Sequence, residues 1–272
     1  RLASQNQRKS PGVMSGVTLQ LDHLVVAAGT LEAGVAHVAE ALGLSPDDFS
    51  AEGKHPAMGT HNRLLGIDGS CYLEVIAIDP GAAPLPPGRK RWFGLGDAAL
   101  LASLAQRPRL LHWVARVPPG AAADLDELAR RVPDLVPEVI PLERGSFRWR
   151  LGVPPDGSLP SGPGGGPSGG GVIPTIIQWD VEATPAQRLP PSGLGLRKLV
   201  GRHPHQEPVQ AAVKALGAGH LIHLQSSDGE AGLVAELMTP TGVRVLSCGG
   251  SMTRWQMLYT LTCICGPLDT YF

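Results

Sequence analysis

The sequence predicts an α+β fold in which one theme recurs along the chain: a strand, a helix, then an antiparallel set of strands. Three observations predict it. Segments of alternating apolar residues are each followed by a helical stripe with its own cap and stop. Turn signals such as Asp68-Gly69 then join further alternating segments. Apolar runs such as LVVAAG stay far below the ~18 residues that a membrane-spanning helix needs.

The first unit opens with LQLDHLVVA, residues 19–27, which reads as a strand. Strand side chains alternate, so Leu19, Leu21, His23 and Val25 are expected on one face. Thr30 is the expected N-cap of a helix with Glu32 in its first turn. Leu31, Val35, Val38 and Leu42 recur at helical spacing, and Gly43 stops it. Residues 44–59 hold Pro46 and Pro56 and yield no clear strand. Residues 60–67 and 71–78 flank Asp68-Gly69 as a hairpin.

Residues 80–92, rich in Pro, Gly and Arg, read as a linker, and Asp97 caps a short helix carrying Leu100, Leu101 and Leu104. A second unit begins with LLHWVARV at 110–117, continues with a helix holding Leu125, Leu128 and Val132, and adds strands near 136–142 and 146–153. A Gly/Pro/Ser-rich stretch, 154–171, leads to the apolar strand VIPTIIQWD. A third unit starts at 194 with LGLRKLVG. Val209, Val213 and Leu216 form its helix stripe, and strands follow at 220–226, 232–238 and 243–247. The repeat rests on pattern, since identity between the units is weak. RHPHQ at 202–206 reads as the start of the third helix, and residues 248–272 as an irregular tail.

Composition narrows the function classes. The 272 residues are 43% apolar with a formal net charge of −1, so there is no basic surplus to attract nucleic acid. No membrane partner is expected. Four cysteines, three of them (Cys248, Cys263, Cys265) near the C-terminus, form no disulfide framework and suggest a reducing, cytoplasmic setting. Residues 1–18 read as a disordered extension. They are polar, carry Arg1, Arg8 and Lys9 and hold no acid, a pattern that organellar targeting also shows. Met14, just before the first strand, is the expected native start.

Several residues carry chemistry. His23 and Glu74 stand in strands among apolar neighbours, where an unpaired carboxylate is costly. Glu74 therefore needs a metal, an arginine or a hydrogen-bond network, and a plain buried His–Glu bond would serve. His112 stands in LLHWVAR much as His23 stands in LDHLVV. His55 and Asn62 either line a cleft mouth or tie a turn at Gly59. Arg148 and Arg150 share a strand face opposite Trp149, a pattern that commonly ends as a solvated arginine face. Trp113 and Trp179 fit core packing or a cleft wall. SGPGGGPSGGG lacks the Gly-Lys-Ser/Thr ending of a phosphate loop. The Cys263-x-Cys265 pair lacks a matching partner pair for a metal.

LDHLVVAAGTLE, HPAMGTHNRLL and YLEVIAIDP, with RWFGL, WVAR, RGSFRWRL and VIPTIIQWD, together resemble the glyoxalase-like domain family of the vicinal-oxygen-chelate superfamily over roughly residues 19–247. The resemblance implies paired βαβββ modules whose curved mixed sheets enclose a cleft. The first and second modules would span 19–182 and a third βαβββ-like module 194–247. It further implies one divalent metal (Zn, Fe, Mn or Ni) held by residues of the first and last strands of each module. His23 and Glu74 occupy those positions in the first module, with Glu74 also the catalytic carboxylate.

In the second module His112 would be the first-strand ligand, and Gln178, no carboxylate, stands where the last-strand ligand belongs. His23, His112 and Glu74 then make a 2-His-1-carboxylate set, which suits Fe(II) and oxygen chemistry. His55, Asn62, Gln178 and Trp179 would contact the substrate, and Arg144, matching the family pattern, would clamp its carboxylate. Where the family often has His-Pro-Ala, this chain has Thr184-Pro185-Ala186.

Two readings follow. One is a metal-dependent lyase, isomerase or dioxygenase acting on a small carbonyl, enediol or catechol-like molecule. The other is a metal-free module that binds such a molecule. A cleft needs two modules and three are counted. The extra one packs as an accessory layer or pairs across a homodimer.

Overall fold

The computed structural model describes residues 17–162 and 168–248. Met14 and the cysteines of the tail beyond Cys248 lie outside the described residues. The first module runs β1 (Gln20–Ala27), α1 (Leu31–Leu42), β2 (Gly53–His55), β3 (Thr60–Ile67) and β4 (Cys71–Ile78). Its local signals act as their chemistry dictates. Thr30 Oγ1 accepts the Ala33 N–H at 3.2 Å, and Gly43, at φ 70°, closes the helix. Asp68 and Gly69 take positive φ, 46° and 77°, in the hairpin loop between β3 and β4. The segment 44–59, where the sequence offers no clear strand, holds the three-residue β2.

The linker leads through α2 (Ala98–Gln106) to the second module: β5 (Arg109–Arg116), α3 (Leu125–Arg131), β6 (Val139–Arg144), β7 (Phe147–Gly152) and β8 (Thr175–Trp179). A short α4 (Pro185–Arg188) follows. The two modules form one eight-stranded sheet in the order β2-β3-β4-β1-β5-β8-β7-β6. In each, the last strand runs parallel to the first (β4 on β1, β8 on β5), and the first strands meet antiparallel at the centre. Topology is thus repeated about the β1–β5 junction. The sheet is strongly curled, because its opposite ends touch: Arg144 of β6 lies 3.2 Å from His55 of β2.

The two faces of this sheet bury different cores. On the outer face Leu24, Val26, Leu73 and Val75 pack with Val35, Val38 and Leu42 of α1 and with Leu125 and Leu128 of α3. On the inner face Val25 and Ile76 share a core with Trp92, Trp149 and Ile177, and the last three line a cleft. The face expected for β1 needs correction here. Leu19 and Leu21 belong to the outer core, whereas His23 lines the cleft and Val25 packs in the inner-face core. A register shift in the β1–β5 ladder between Leu21 and His23 causes the switch, since a bulge adds one residue to one strand and reverses the alternation beyond it.

The third unit comprises β9 (Gly195–His203), α5 (Gln206–Ala215), β10 (His223–Ser226), β11 (Gly232–Thr239) and β12 (Gly242–Ser247). Its element order matches the other two, but its strand order, β10-β9-β11-β12, does not. Leu199, Val209, Leu233 and Leu237 join the outer core with α1. The unit is therefore an accessory layer over the outer face, and the cleft belongs to the first two modules. Each such fully buried leucine or valine contributes about 1.5–3 kcal/mol. Among the described residues no helix is long and apolar enough to cross a membrane.

Candidate ligand-binding cleft

The cleft, which spans about 430 Å³ when space open to solvent is counted, draws its walls from both modules. His23 comes from β1, His55 from β2, Asn62 from β3, Glu74 from β4, Arg144 from β6, Trp149 from β7 and Trp179 from β8. Trp92 and Phe93, in a single 3-10 turn after the linker, close one side. The bulge at Asp22 lets two neighbouring residues of β1 serve one network. Asp22 Oδ1 accepts the Nδ1 hydrogen of His23 at 2.7 Å, and Asp22 Oδ2 accepts the indole N–H of Trp179 at 2.8 Å. His23 Nε2 then lies 3.6 Å from Glu74 Oε2. Tyr72 stacks on the His23 ring at 4.7 Å. Burial, and then the charges of Asp22 and Glu74, hold the Tyr72 hydroxyl protonated, far above its usual range.

The network continues from Glu74. Asn62 donates its Nδ2 hydrogen to Glu74 Oε1 at 2.5 Å, and its Oδ1 accepts from Arg144 Nη1 at 3.0 Å. The same Arg144 nitrogen donates to His55 Nε2 at 3.2 Å. Burial, aided by the Arg144 charge, pushes the His55 pKa down to about 3. Its ring is therefore neutral, with Nδ1 facing Thr60 Oγ1 at 3.2 Å and Nε2 left as acceptor. Glu74 is thus satisfied by a hydrogen-bond network, one of the three solutions its burial demands. The half-buried Arg144 has no carboxylate within ion-pair distance among the described residues.

The tertiary structure brings His23, Glu74, His55, Asn62, Arg144 and Trp179 together. It diverts two expected site residues. His112 was expected as the third metal ligand. Its Nδ1 instead donates to the Gly171 carbonyl at 3.1 Å, and its Nε2 meets Thr175 Oγ1 at 2.9 Å and the Thr175 amide at 3.1 Å. Both nitrogens are thereby occupied, and burial lowers its pKa to about 3. Gln178 was expected against the substrate. It points out of the other side of β8, where its Oε1 accepts the Leu125 N–H at 2.7 Å and serves the start of α3. Strand alternation explains this, since Ile177 and Trp179 line the cleft and Gln178 lies between them. Trp113 packs in the outer core with its indole N–H on Val172 O, whereas Trp179 is a cleft wall. Arg148 is exposed, and Arg150 pairs with Asp126 and Asp180.

Sequence reasoning missed Tyr72, Trp92 and Trp149 in the cleft lining, and Asp22 as the partner of His23 and Trp179. Strict alternation put Asp22 on the other face from His23, and only the bulge reverses that. Tyr72 precedes Glu74 by two residues, so alternation along β4 was a usable signal for it.

No group of three or more His, Cys, Asp or Glu side chains able to hold a metal occurs among the described residues. Beside His23 and Glu74, the cleft atoms Asn62 Oδ1 and His55 Nε2 already receive the Arg144 guanidinium. A cation beside that positive charge is disfavoured. The residues present do not complete a metal site.

A family profile described as a glyoxalase-like domain matches residues 21–217. No curated protein gives a significant match. Among solved structures, a hypothetical protein from Staphylococcus aureus is 15% identical, with 84% of each chain covered and a TM-score of 0.48. Methylmalonyl-CoA epimerase from Mycobacterium tuberculosis is 18% identical, covering 61% of this chain and 89% of its own, at a TM-score of 0.33. A single-residue variant of the Streptomyces coelicolor methylmalonyl-CoA epimerase, in complex with 2-nitronate-propionyl-CoA, is 16% identical, covering 62% of this chain and 99% of its own, at a TM-score of 0.36.

Proposed function

The chain belongs to the glyoxalase-like domain family, and from that premise we propose that its cleft binds a small, flat, oxygen-rich carboxylate without a resident metal. The observation that carries this reading is Arg144. Its guanidinium is held in place by Asn62 and His55, borders the cleft, and lacks a carboxylate partner of its own among the described residues. A guanidinium so oriented takes a carboxylate through paired hydrogen bonds. The aromatic rings of Trp92, Phe93, Trp149 and Trp179 supply flat apolar walls for the rest of the molecule.

A second reading is a divalent-metal enzyme of lyase, isomerase or dioxygenase type. What favours it is the 3.6 Å spacing of His23 Nε2 and Glu74 Oε2 on the neighbouring strands β1 and β4. The two readings separate in one experiment. The full chain, purified without a histidine tag, is incubated with Zn, Fe, Mn or Ni, gel-filtered and assayed by plasma mass spectrometry. Binding of phenylacetate is measured alongside by calorimetry. The proposed reading expects substoichiometric metal, phenylacetate binding, and loss of that binding in Arg144→Gln. Stoichiometric metal that disappears in His23→Ala would put the enzyme reading first.

A further inference from the structure

Trp92 lines the same cleft, is 4% exposed, and its indole Nε1 has no hydrogen-bond partner. A buried N–H left unpaired costs free energy and is uncommon in folded proteins. The other such atom among the described residues, Arg109 Nε, does not line the cleft.

The wall that carries Trp92 is firmly built. Phe93 holds an uncommon left-handed backbone, φ 56°, and stacks on Trp92 at 5.5 Å. The Gly94 amide donates to Gly157 O at 2.8 Å. Gly157 packs so tightly against Arg91 that an added Cβ would fall 2.2 Å from the Arg91 carbonyl oxygen. The strained turn and the unpaired donor thus occur together, on a segment clamped from behind. Trp92 also meets His55 edge-on, with ring centroids 5.0 Å apart, and His55 is the ring that Arg144 touches. Trp92 and Arg144 thus both contact the His55 ring.

We infer that Trp92 is a specificity-determining residue of the cleft, donating its indole N–H to an uncharged oxygen of the ligand whose carboxylate Arg144 holds. This rests on the carboxylate reading above and deepens it: the ligand class becomes carboxylates bearing a nearby carbonyl or hydroxyl oxygen.

Two probes of equal carbon skeleton test it. Phenylacetate has the carboxylate alone, and benzoylformate adds a ketone oxygen beside it. By calorimetry on the full chain, benzoylformate should bind about tenfold more tightly. Trp92→Phe keeps an aromatic ring and removes the donor, and it should erase that preference. Arg144→Gln should weaken both probes and leave their ratio. In the unmodified chain labelled with 15N-tryptophan, benzoylformate should move one indole N–H resonance downfield and phenylacetate should not, a readout that survives if Trp92→Phe fails to fold. Equal affinities, a preference that persists in Trp92→Phe, or unmoved indole resonances would overturn the inference and leave the carboxylate reading standing. An Nε1 that only water serves would give this outcome. Binding of neither probe would overturn both.

Discussion

Asp22 Oδ1 accepts the Nδ1 hydrogen of His23 at 2.7 Å, and this one bond aims His23 Nε2 at Glu74. Asp22 is 1% exposed and also accepts from Trp179, so one buried carboxylate positions a first-strand imidazole and a last-strand indole together.

Removing that carboxylate leaves one buried and one part-buried donor without acceptors, a buried one being worth about 1–3 kcal/mol. Asp22→Ala should therefore destabilise the chain by about 3 kcal/mol, read as a lower denaturant midpoint. Asp22→Asn keeps one acceptor oxygen and should lose less. Equal stability of Asp22→Ala and the parent chain would show that the network is not formed in solution.

Stability should fall in mild acid. His55 and His112 have folded-state pKa values of about 3, below the usual 6.5, because burial disfavours their charged forms. Between pH 6.5 and 3 the unfolded chain then binds more protons than the folded one, so stability is full above 6.5 and declines as pH drops through this window. At about pH 5 each ring accounts for about 2 kcal/mol of the decline. Urea titrations at about pH 7 and pH 5 measure it. His112→Gln should roughly halve the difference, and a flat profile would mean that the rings are not buried as neutral groups.

The accessory layer should matter to stability and not to ligand binding. Leu237 of β11 is 0% exposed in the outer core, remote from the cleft lining. Leu237→Ala should cost about 2–5 kcal/mol through lost contacts and a cavity. Phenylacetate affinity should stay unchanged, and a parallel loss of affinity would place the cleft under control of the third unit.

Cys71 should be inert in the folded chain. It is 2% exposed, and burial pushes its thiol up to about 12, so almost no thiolate exists at neutral pH. Iodoacetamide at about pH 8 should label Cys71 only after denaturation, as peptide mass spectrometry reads directly. Labelling of the native chain at Cys71 would show that β4 opens.

What the sequence determined by itself lies close along the chain. Thr30 and Gly43 bound α1, Asp68-Gly69 turns β3 into β4, and alternation marks β3, β5 and β11, because caps, turns and strand faces depend on residues a few positions apart. The family likeness also lay in local stretches, and they named His23, His55, Asn62, Glu74, Arg144 and Trp179 for the cleft. Tertiary structure decided what depends on a partner element. The bulge at Asp22 arises from the register of β1 against β5, and it is what puts Asp22 beside His23. His112 has the same local setting as His23, yet Gly171 and Thr175, about sixty residues away, occupy both its nitrogens. Gln178 goes to α3, and the third unit, alike in element order, pairs its strands differently and covers the outer face. Partner choice of this kind depends on which surfaces and donors meet after the chain has folded, and sequence spacing carries no record of it.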